Sequence, residues 1–138
     1  MRTQAEIINP PGWKRPKGYA NAMVLPKGRP LFIAGMVGWD ENEQFNSDNF
    51  ADQFRQALLN IKACVEAAGS RVDCIGRLTI FVTDKNEYSA DLPAVGAAYR
   101  EVMGRHYPAM ALLEVKGLLE PGAKVEIEAT GVVPEEEA

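Results

Sequence analysis

The sequence has 138 residues, of which 46% are hydrophobic and 25% are charged; this composition is typical of a single globular domain over 1–138 and excludes collagen-like, disordered and coiled-coil-only architectures. The 15 basic and 19 acidic residues give a formal net charge of −4, so a nucleic-acid partner, which would require clustered Lys and Arg side chains, is not expected. The sequence has no apolar run of the roughly 20 residues that cross a bilayer, no secretory signal and no Cys-x-x-Cys motif, which predicts a reduced, cytoplasmic protein without a membrane partner.

The first eighteen residues are rich in proline and glycine. Proline fixes φ and removes a backbone donor, so 1–18 is predicted to be an extended N-terminal arm rather than a helix or a central strand. Three cations, Lys14, Arg15 and Lys17, lie in this arm. They form either an ordinary solvated terminus or a cationic lip on a binding site.

Two short apolar runs follow the arm. Residues 22–25 and 31–34 have the length of strands and flank the glycine-containing segment 26–30, a pattern that predicts a β-hairpin. Gly35 comes directly after the second run. A glycine at a strand end allows another group to approach the backbone closely.

Two amphipathic helices are predicted in the middle of the chain. In the first, apolar residues recur every three or four positions from Phe50 onward, Asn49 can cap the N-terminus, and Gly69 can end the helix. The second begins at the capping residue Asp91 and ends at Gly104.

Three further strands complete the predicted order β-β-α-β-α-β-β. They cover 77–83, 110–115 and 125–133, the last with the alternation of a half-buried strand, and 134–138 forms an acidic tail. Because each helix joins two strands, the predicted fold class is α+β, with a mixed sheet and both helices packed on one face.

The other face of this sheet needs a cover. Ile80, Val82, Leu113 and Val115 are candidates for that face, although alternation does not say which face each residue occupies. An uncovered apolar sheet face on a small domain implies a partner, and we expect a closed homo-oligomer.

Short segments along nearly the whole chain, taken in their order and spacing, resemble the RidA/YjgF family, also called endoribonuclease L-PSP. The matching segments are Gly18-Tyr19, residues 31–35, residues 56–61, residues 66–69, residues 81–84, Tyr99, Pro108-Ala109, Glu114-Val115 and residues 125–129. The resemblance implies a chorismate-mutase-like fold and a homotrimer whose sheets form an inner barrel, with small-molecule clefts at the subunit interfaces. It also implies hydrolysis of reactive enamines and imines, such as 2-aminoacrylate, to 2-oxo acids and ammonia.

The cleft positions of this family are matched in part. Tyr19, Gly35 and Glu126 match them. Met110 follows Pro-Ala, where the family's deaminases carry an arginine that clamps the substrate carboxylate. Gly96 stands where the family carries an asparagine. The resemblance therefore implies a retained scaffold that lacks the usual carboxylate clamp.

Each candidate site residue also has a structural interpretation. Glu126 either positions water and shuttles protons or is the polar face of a strand. Tyr19 either donates a hydrogen bond in the cleft or walls it, or it anchors the arm. Trp39 either caps a hydrophobic substrate-binding pocket or is buried in the core or an interface. The lone histidine, His106, and the separated cysteines offer no metal site, so neither a metal nor another cofactor is predicted.

Three functions from different classes remain. The first is hydrolysis of an enamine or imine whose carboxylate is absent or bound elsewhere, with Lys14, Arg15 and Lys17 as candidates. Met110 would make the cleft more apolar, which favours a larger or aromatic substrate. The second is a non-catalytic trimer that binds a small metabolite. The third is RNA cleavage, which the acidic charge balance and the lack of a histidine pair disfavour.

Overall fold

The computed structural model describes residues 4–135, which form six strands and three helices. In chain order these are β1 (Glu6–Ile8), β2 (Ala22–Val24), β3 (Gly28–Val37), α1 (Phe50–Ala67), β4 (Ile75–Val82), α2 (Lys85–Ala90), α3 (Leu92–Met103), β5 (Ala109–Glu114) and β6 (Val125–Pro134). One turn of 3₁₀ helix, Val72–Cys74, precedes β4.

Four strands make a mixed sheet in the order β3-β6-β4-β5. The central strand β6 is antiparallel to both β3 and β4, and β5 is parallel to β4. The strands β3, β4 and β5 therefore all run the same way, so each connection between them must cross back along a face of the sheet, and α1 and α3 do this. The predicted α+β architecture with a mixed sheet is confirmed.

Local capping begins both long helices where the sequence predicts. The Asn49 side chain accepts a hydrogen bond from the Asp52 N–H (3.1 Å), and the Asp91 side chain accepts one from the Ala94 N–H (3.3 Å). Gly69 follows the end of α1 with φ at +82°. Glycine suits this position because it adopts the left-handed conformation without a steric penalty.

The helices α1 and α3 cover one face of the sheet and form the core with it. Apolar residues of α1 and α3 pack there on the alternate residues Leu78, Ile80 and Val82 of β4, which are at most 4% exposed. Our assignment of Ile80 and Val82 to the uncovered face is therefore wrong, because the alternation of β4 turns both side chains toward the helices.

Within residues 4–135, no helix covers the opposite face of the sheet, which is called the uncovered face below. Phe81 and Leu113 pair across β4 and β5 on that face, and Leu113 is 43% exposed. Phe32 of β3, which lies opposite Thr130 of β6, is 78% exposed. Val115 follows β5, and its N–H donates a hydrogen bond to the Val82 carbonyl.

The predicted hairpin is wrong, because β2 and β3 do not pair. Instead β2 pairs with β1, which lies within the predicted arm, and β3 pairs with β6. The segment expected to turn is the start of β3. A Cβ on Gly28 would lie 2.2 Å from the Val133 carbonyl oxygen, so the glycine permits the close approach of β6. Pro30 is tolerated because β3 is an edge strand.

The last predicted helix has a short helix before it. The Asp84 side chain accepts a hydrogen bond from the Asn86 N–H (2.9 Å) and so caps α2, and Asp91 separates α2 from α3. None of the helices within 4–135 is long and apolar enough to span a bilayer. The predicted tail 134–138 begins with Pro134, the last residue of β6, and 136–138 lie outside the described residues.

Candidate functional site

Glu126 lies on the uncovered face of the sheet, against the backbone of β3. Its neighbours Val125 and Ile127 are fully buried under the helices, so alternation directs Glu126 to the other side. A Cβ on Gly35 would lie 2.5 Å from Glu126 Oε2. Glycine at this position therefore leaves the space that the carboxylate occupies, and the structure brings these two predicted site residues together.

A β-bulge in β3 produces this contact. The register shifts between Ile33 and Met36, so Ala34 and Gly35 share one partner position on β6. Bulges of this kind redirect side chains and backbone locally. Both bulge residues are exposed on β3, and Gly35 lies against the Glu126 carboxylate.

The Glu126 carboxylate has no hydrogen-bonding or ion-pair partner among residues 4–135. On its face it is flanked by Phe81, its register partner on β4, and by Leu113 beyond it on β5. The carboxylate is half-buried. An unengaged acceptor beside aromatic and aliphatic side chains can bind a water molecule and exchange protons with it.

A buried amide fixes the start of the strand that carries Glu126. Gln53 of α1 is 1% exposed, its Nε2 donates to the carbonyl oxygens of Ser47 (3.1 Å) and Gly122 (3.0 Å), and its Oε1 accepts from the Lys124 N–H (2.8 Å). All three contacts satisfy backbone groups that would otherwise be unpaired near the core. The position of β6 is thereby tied to α1.

Met110 lines a cavity of about 230 Å³ at the free edge of β5. Met110 pairs with the fully buried Leu78, so it lies on the helix side of the sheet. The cavity is bounded mostly by apolar and aromatic groups, among them Tyr88, Tyr99 and Tyr107. Met110 therefore lines an open space rather than filling it.

Two stacked tyrosines form one wall of this cavity. The rings of Tyr99 and Tyr107 are 5.1 Å apart and nearly parallel. The Tyr99 hydroxyl donates to the His106 carbonyl oxygen (2.6 Å), and burial, with a smaller effect of Tyr107, raises the pKa of the Tyr99 phenol. Tyr99 consequently stays neutral at physiological pH and serves as a wall rather than as a base.

His106 holds the turn that leads into β5. Its Nε2 donates a hydrogen bond to the Ile75 carbonyl oxygen (2.7 Å), because a carbonyl oxygen can only accept. This contact is consistent with the structural role expected for the lone histidine.

Tyr19 lies beside the start of β5. Its side chain is exposed. The next residue, Ala20, donates its N–H to the Pro108 carbonyl oxygen (3.1 Å) and forms a β-bridge with Ala109. The preceding residue, Gly18, lines the Met110 cavity. The arm therefore reaches the cavity rim.

Trp39 lies away from the cavity. Its indole packs on Phe45 with ring centres 5.6 Å apart, and its carbonyl oxygen accepts a hydrogen bond from Asn60 of α1 (2.8 Å). The lining of the Met110 cavity does not include it. Within one chain, the predicted site residues therefore lie in two places. Gly35 and Glu126 lie together on the uncovered face of the sheet. Met110 lies on the other face, and the arm near Tyr19 reaches the rim of its cavity.

The sequence model described as "Endoribonuclease L-PSP" matches residues 14–133. The chain belongs to this family, which is also the RidA/YjgF family. A 2-iminobutanoate/2-iminopropanoate deaminase of Escherichia coli K12 is 41% identical over 108 residues, which is 76% of this chain and 80% of that protein. The RutC family protein y4sK of Sinorhizobium fredii is 39% identical over 109 residues, which is 78% of this chain and 82% of that protein.

Solved structures of the RidA/YjgF family share the fold. The Rid family protein YyfB from Yersinia pestis, described as of unknown function, matches with a TM-score of 0.82 at 29% identity, covering 94% of this chain and 99% of that one. The YjgF protein of E. coli matches with a TM-score of 0.65 at 33% identity, covering 83% and 87%.

Arg100 is a cavity residue that sequence reasoning missed. It is an exposed residue of α3 that lines the Met110 cavity, and a Cβ on Gly96, one turn earlier, would lie 3.1 Å from its Nη1. Both departures from the RidA/YjgF pattern noted in the sequence, Gly96 and Met110, therefore line the same cavity as Arg100. The spacing of four residues between Gly96 and Arg100 is the available sequence signal, but it indicates nearness only once the helix is placed.

Proposed function

We propose that this chain is a homotrimeric imine or enamine deaminase that hydrolyses a C=N bond to a 2-oxo compound and ammonia. Its relatives support this reaction class, since several are named as 2-iminobutanoate/2-iminopropanoate deaminases. The observation that carries the proposal is the unengaged Glu126 carboxylate over Gly35, a group suited to hold and deprotonate water.

The proposed assembly places two copies of the chain around each site. Phe32, Phe81 and Leu113 form an apolar sheet face that no helix of the described part of the chain covers, and monomers rarely expose large apolar patches. Met110 and Glu126 lie on opposite faces of one sheet. In a ring of three copies, the cavity beside Met110 of one copy can adjoin the Glu126 face of the next.

The chemistry of the proposed site follows from one carboxylate. Glu126 accepts a proton from a bound water as the water oxygen attacks the imine carbon, the C=N π electrons move to nitrogen, and Glu126 passes this proton to the nitrogen. Glu126 then takes the hydroxyl proton of the resulting carbinolamine and delivers it to the same nitrogen, so that the C–N bond breaks, ammonia leaves and C=O forms. Both water protons thus end on ammonia and Glu126 returns to its starting state, so no cofactor is required.

Met110 makes this cavity unlike one built for small 2-imino acids. A thioether is apolar and a weak acceptor, and it provides no charge to bind a carboxylate at the β5 position. Small acids therefore lose the bidentate charge-assisted contact that an arginine would offer there. The proposed substrate is larger and more apolar, with its carboxylate absent or bound elsewhere.

The substitution Met110→Arg tests this account of the cavity. Wild-type protein is expected to release pyruvate slowly from 2-aminoacrylate generated in situ, and Met110→Arg is expected to raise kcat/KM at least about tenfold, the typical effect of one charge-assisted contact. Met110→Leu is the matched control, since it changes shape without adding charge.

A gain in Met110→Arg alone supports an altered cavity on an intact catalytic scaffold. Fast wild-type turnover would contradict the role given to Met110. No turnover by either protein, with ligand binding retained, would favour the alternative, a trimer that binds a small metabolite without catalysis.

A further inference from the structure

We infer that Arg100 of α3 binds the substrate carboxylate in the Met110 cavity, and that the substrate class is aromatic 2-imino acids. This inference deepens the proposed function and rests on it for the reaction, although not for the binding. Its basis is the position, charge and surroundings of Arg100.

Arg100 is the cationic group that lines the cavity. Its guanidinium lies over Gly96, where a Cβ would be 3.1 Å from Nη1. A side chain at position 96 would therefore displace the guanidinium or have to give way to it. Gly96 has no side chain and Met110 carries no charge. Together they leave room for a cation from α3, Arg100, in place of a cation from β5.

The guanidinium of Arg100 is available to a ligand. No hydrogen bond or ion pair links it to another residue within 4–135. Three carboxylates of α2, α3 and β5 are engaged elsewhere. Glu101 pairs with Arg55, Glu87 with Lys124 (2.6 Å), and Glu114 accepts from the Lys85 N–H (3.0 Å). A planar guanidinium with free donors beside a cavity matches a carboxylate in geometry and charge.

The rest of the cavity matches an aromatic ring. The stacked pair Tyr99 and Tyr107 offers a flat wall, and Leu92, Val95 and Met110 are aliphatic or soft. A ring beside a stacked aromatic pair and a thioether makes favourable contacts. An apolar cavity of about 150 Å³ holds a benzene ring, so a cavity of about 230 Å³ has room for a ring and the atoms that join it to a carboxylate.

Short 2-imino acids do not use this space. A methyl or ethyl side chain would leave most of the aromatic wall without a partner, and the gain from burying apolar surface rises with the area buried. One cation beside a large aromatic wall therefore favours a substrate that carries a ring in its side chain and a carboxylate at its other end.

Calorimetric titration with stable probes tests the inference without turnover. The probes are 3-phenylpropanoate, propanoate, which lacks the ring, and 3-phenylpropanamide, which lacks the charge. Wild-type protein is expected to bind 3-phenylpropanoate most tightly. Arg100→Gln is expected to weaken that binding about tenfold or more while leaving the amide unchanged. Arg105→Gln, an equal charge change at an exposed position outside the cavity lining, is expected to have no effect.

The outcomes separate this inference from the proposed function. Equal binding of 3-phenylpropanoate by wild type and Arg100→Gln would overturn the role of Arg100, and so would the absence of measurable binding by wild type. Binding that depends on Arg100 in a protein with no deaminase activity would uphold the inference and overturn the proposed reaction. Retained circular dichroism and mass for Arg100→Gln exclude misfolding, and Arg100→Lys is expected to retain part of the affinity.

Discussion

Replacing Glu126 by glutamine is expected to lower kcat for imine hydrolysis by about 10²–10⁴-fold, the usual contribution of a positioned acid–base group. Glutamine keeps the size of the side chain beside Gly35 but does not accept a proton from water. KM should change little, because in the proposed site Glu126 acts on the attacking water, whereas the Met110 cavity of the adjoining copy binds the substrate. The assay generates the imine from phenylalanine with an amino-acid oxidase and follows its capture by semicarbazide, which deaminase activity reduces.

Glu128→Gln is the matched control for this experiment. Glu128 lies two residues along β6 on the same face and is exposed, so the two variants make the same chemical change in the same strand. Wild-type activity in Glu128→Gln with loss in Glu126→Gln would assign the chemistry to one carboxylate. Full activity in Glu126→Gln would remove this residue from the mechanism.

The second large effect is expected from Phe32→Asp. Phe32 is 78% exposed in one chain, so the substitution should leave the fold of the chain intact. In the proposed trimer the new carboxylate would be buried without a partner, at a cost of several kcal/mol. Light scattering should show the mass falling from three times 15.1 kDa, about 45 kDa, to that of one chain, and imine hydrolysis should be lost because each site needs two copies.

Leu119→Asp provides the comparison for Phe32→Asp. Leu119 is 91% exposed and lies in the segment between β5 and β6, outside the sheet. This variant should remain trimeric and active. A wild-type chain that is monomeric at micromolar concentration, or an active monomer of Phe32→Asp, would contradict the proposed assembly.

The helices were predictable because their signals are local. A capping side chain three residues from its target, an apolar period of 3.6 and a glycine at the end all act within one turn, as at Asn49, Asp91 and Gly69. The short helix α2 was missed because its six residues, 85–90, are too few to show a period.

The strand pairing was less predictable because it is not local. The pairing of β3 with β6 joins residues about a hundred positions apart, as between Gly28 and Pro134, and no turn signal indicates it. The same limit explains the wrong face for Ile80 and Val82, since alternation gives two faces but does not say which one the helices cover.

The candidate site, like the fold, was only partly predictable from the sequence. Gly35, Glu126 and Met110 were identified by resemblance, and the structure adds that a bulge brings the first two into contact and that the third lies on the opposite face. For Arg100 the sequence offers only its spacing of four residues from Gly96, and that spacing does not show that Arg100 and Met110 line one cavity. A single arginine in an amphipathic helix is most often a solvated side chain.

The most direct test of the whole account is the ratio of kcat/KM values of the unmodified protein for two imines, that of phenylalanine and that of alanine. Both carry a carboxylate, and they differ by the ring that the tyrosine-lined cavity is inferred to accept. The unmodified protein is expected to prefer the imine of phenylalanine by at least about tenfold, since burying even a few apolar groups is worth this much. Equal rates, or preference for the imine of alanine, would contradict this expectation.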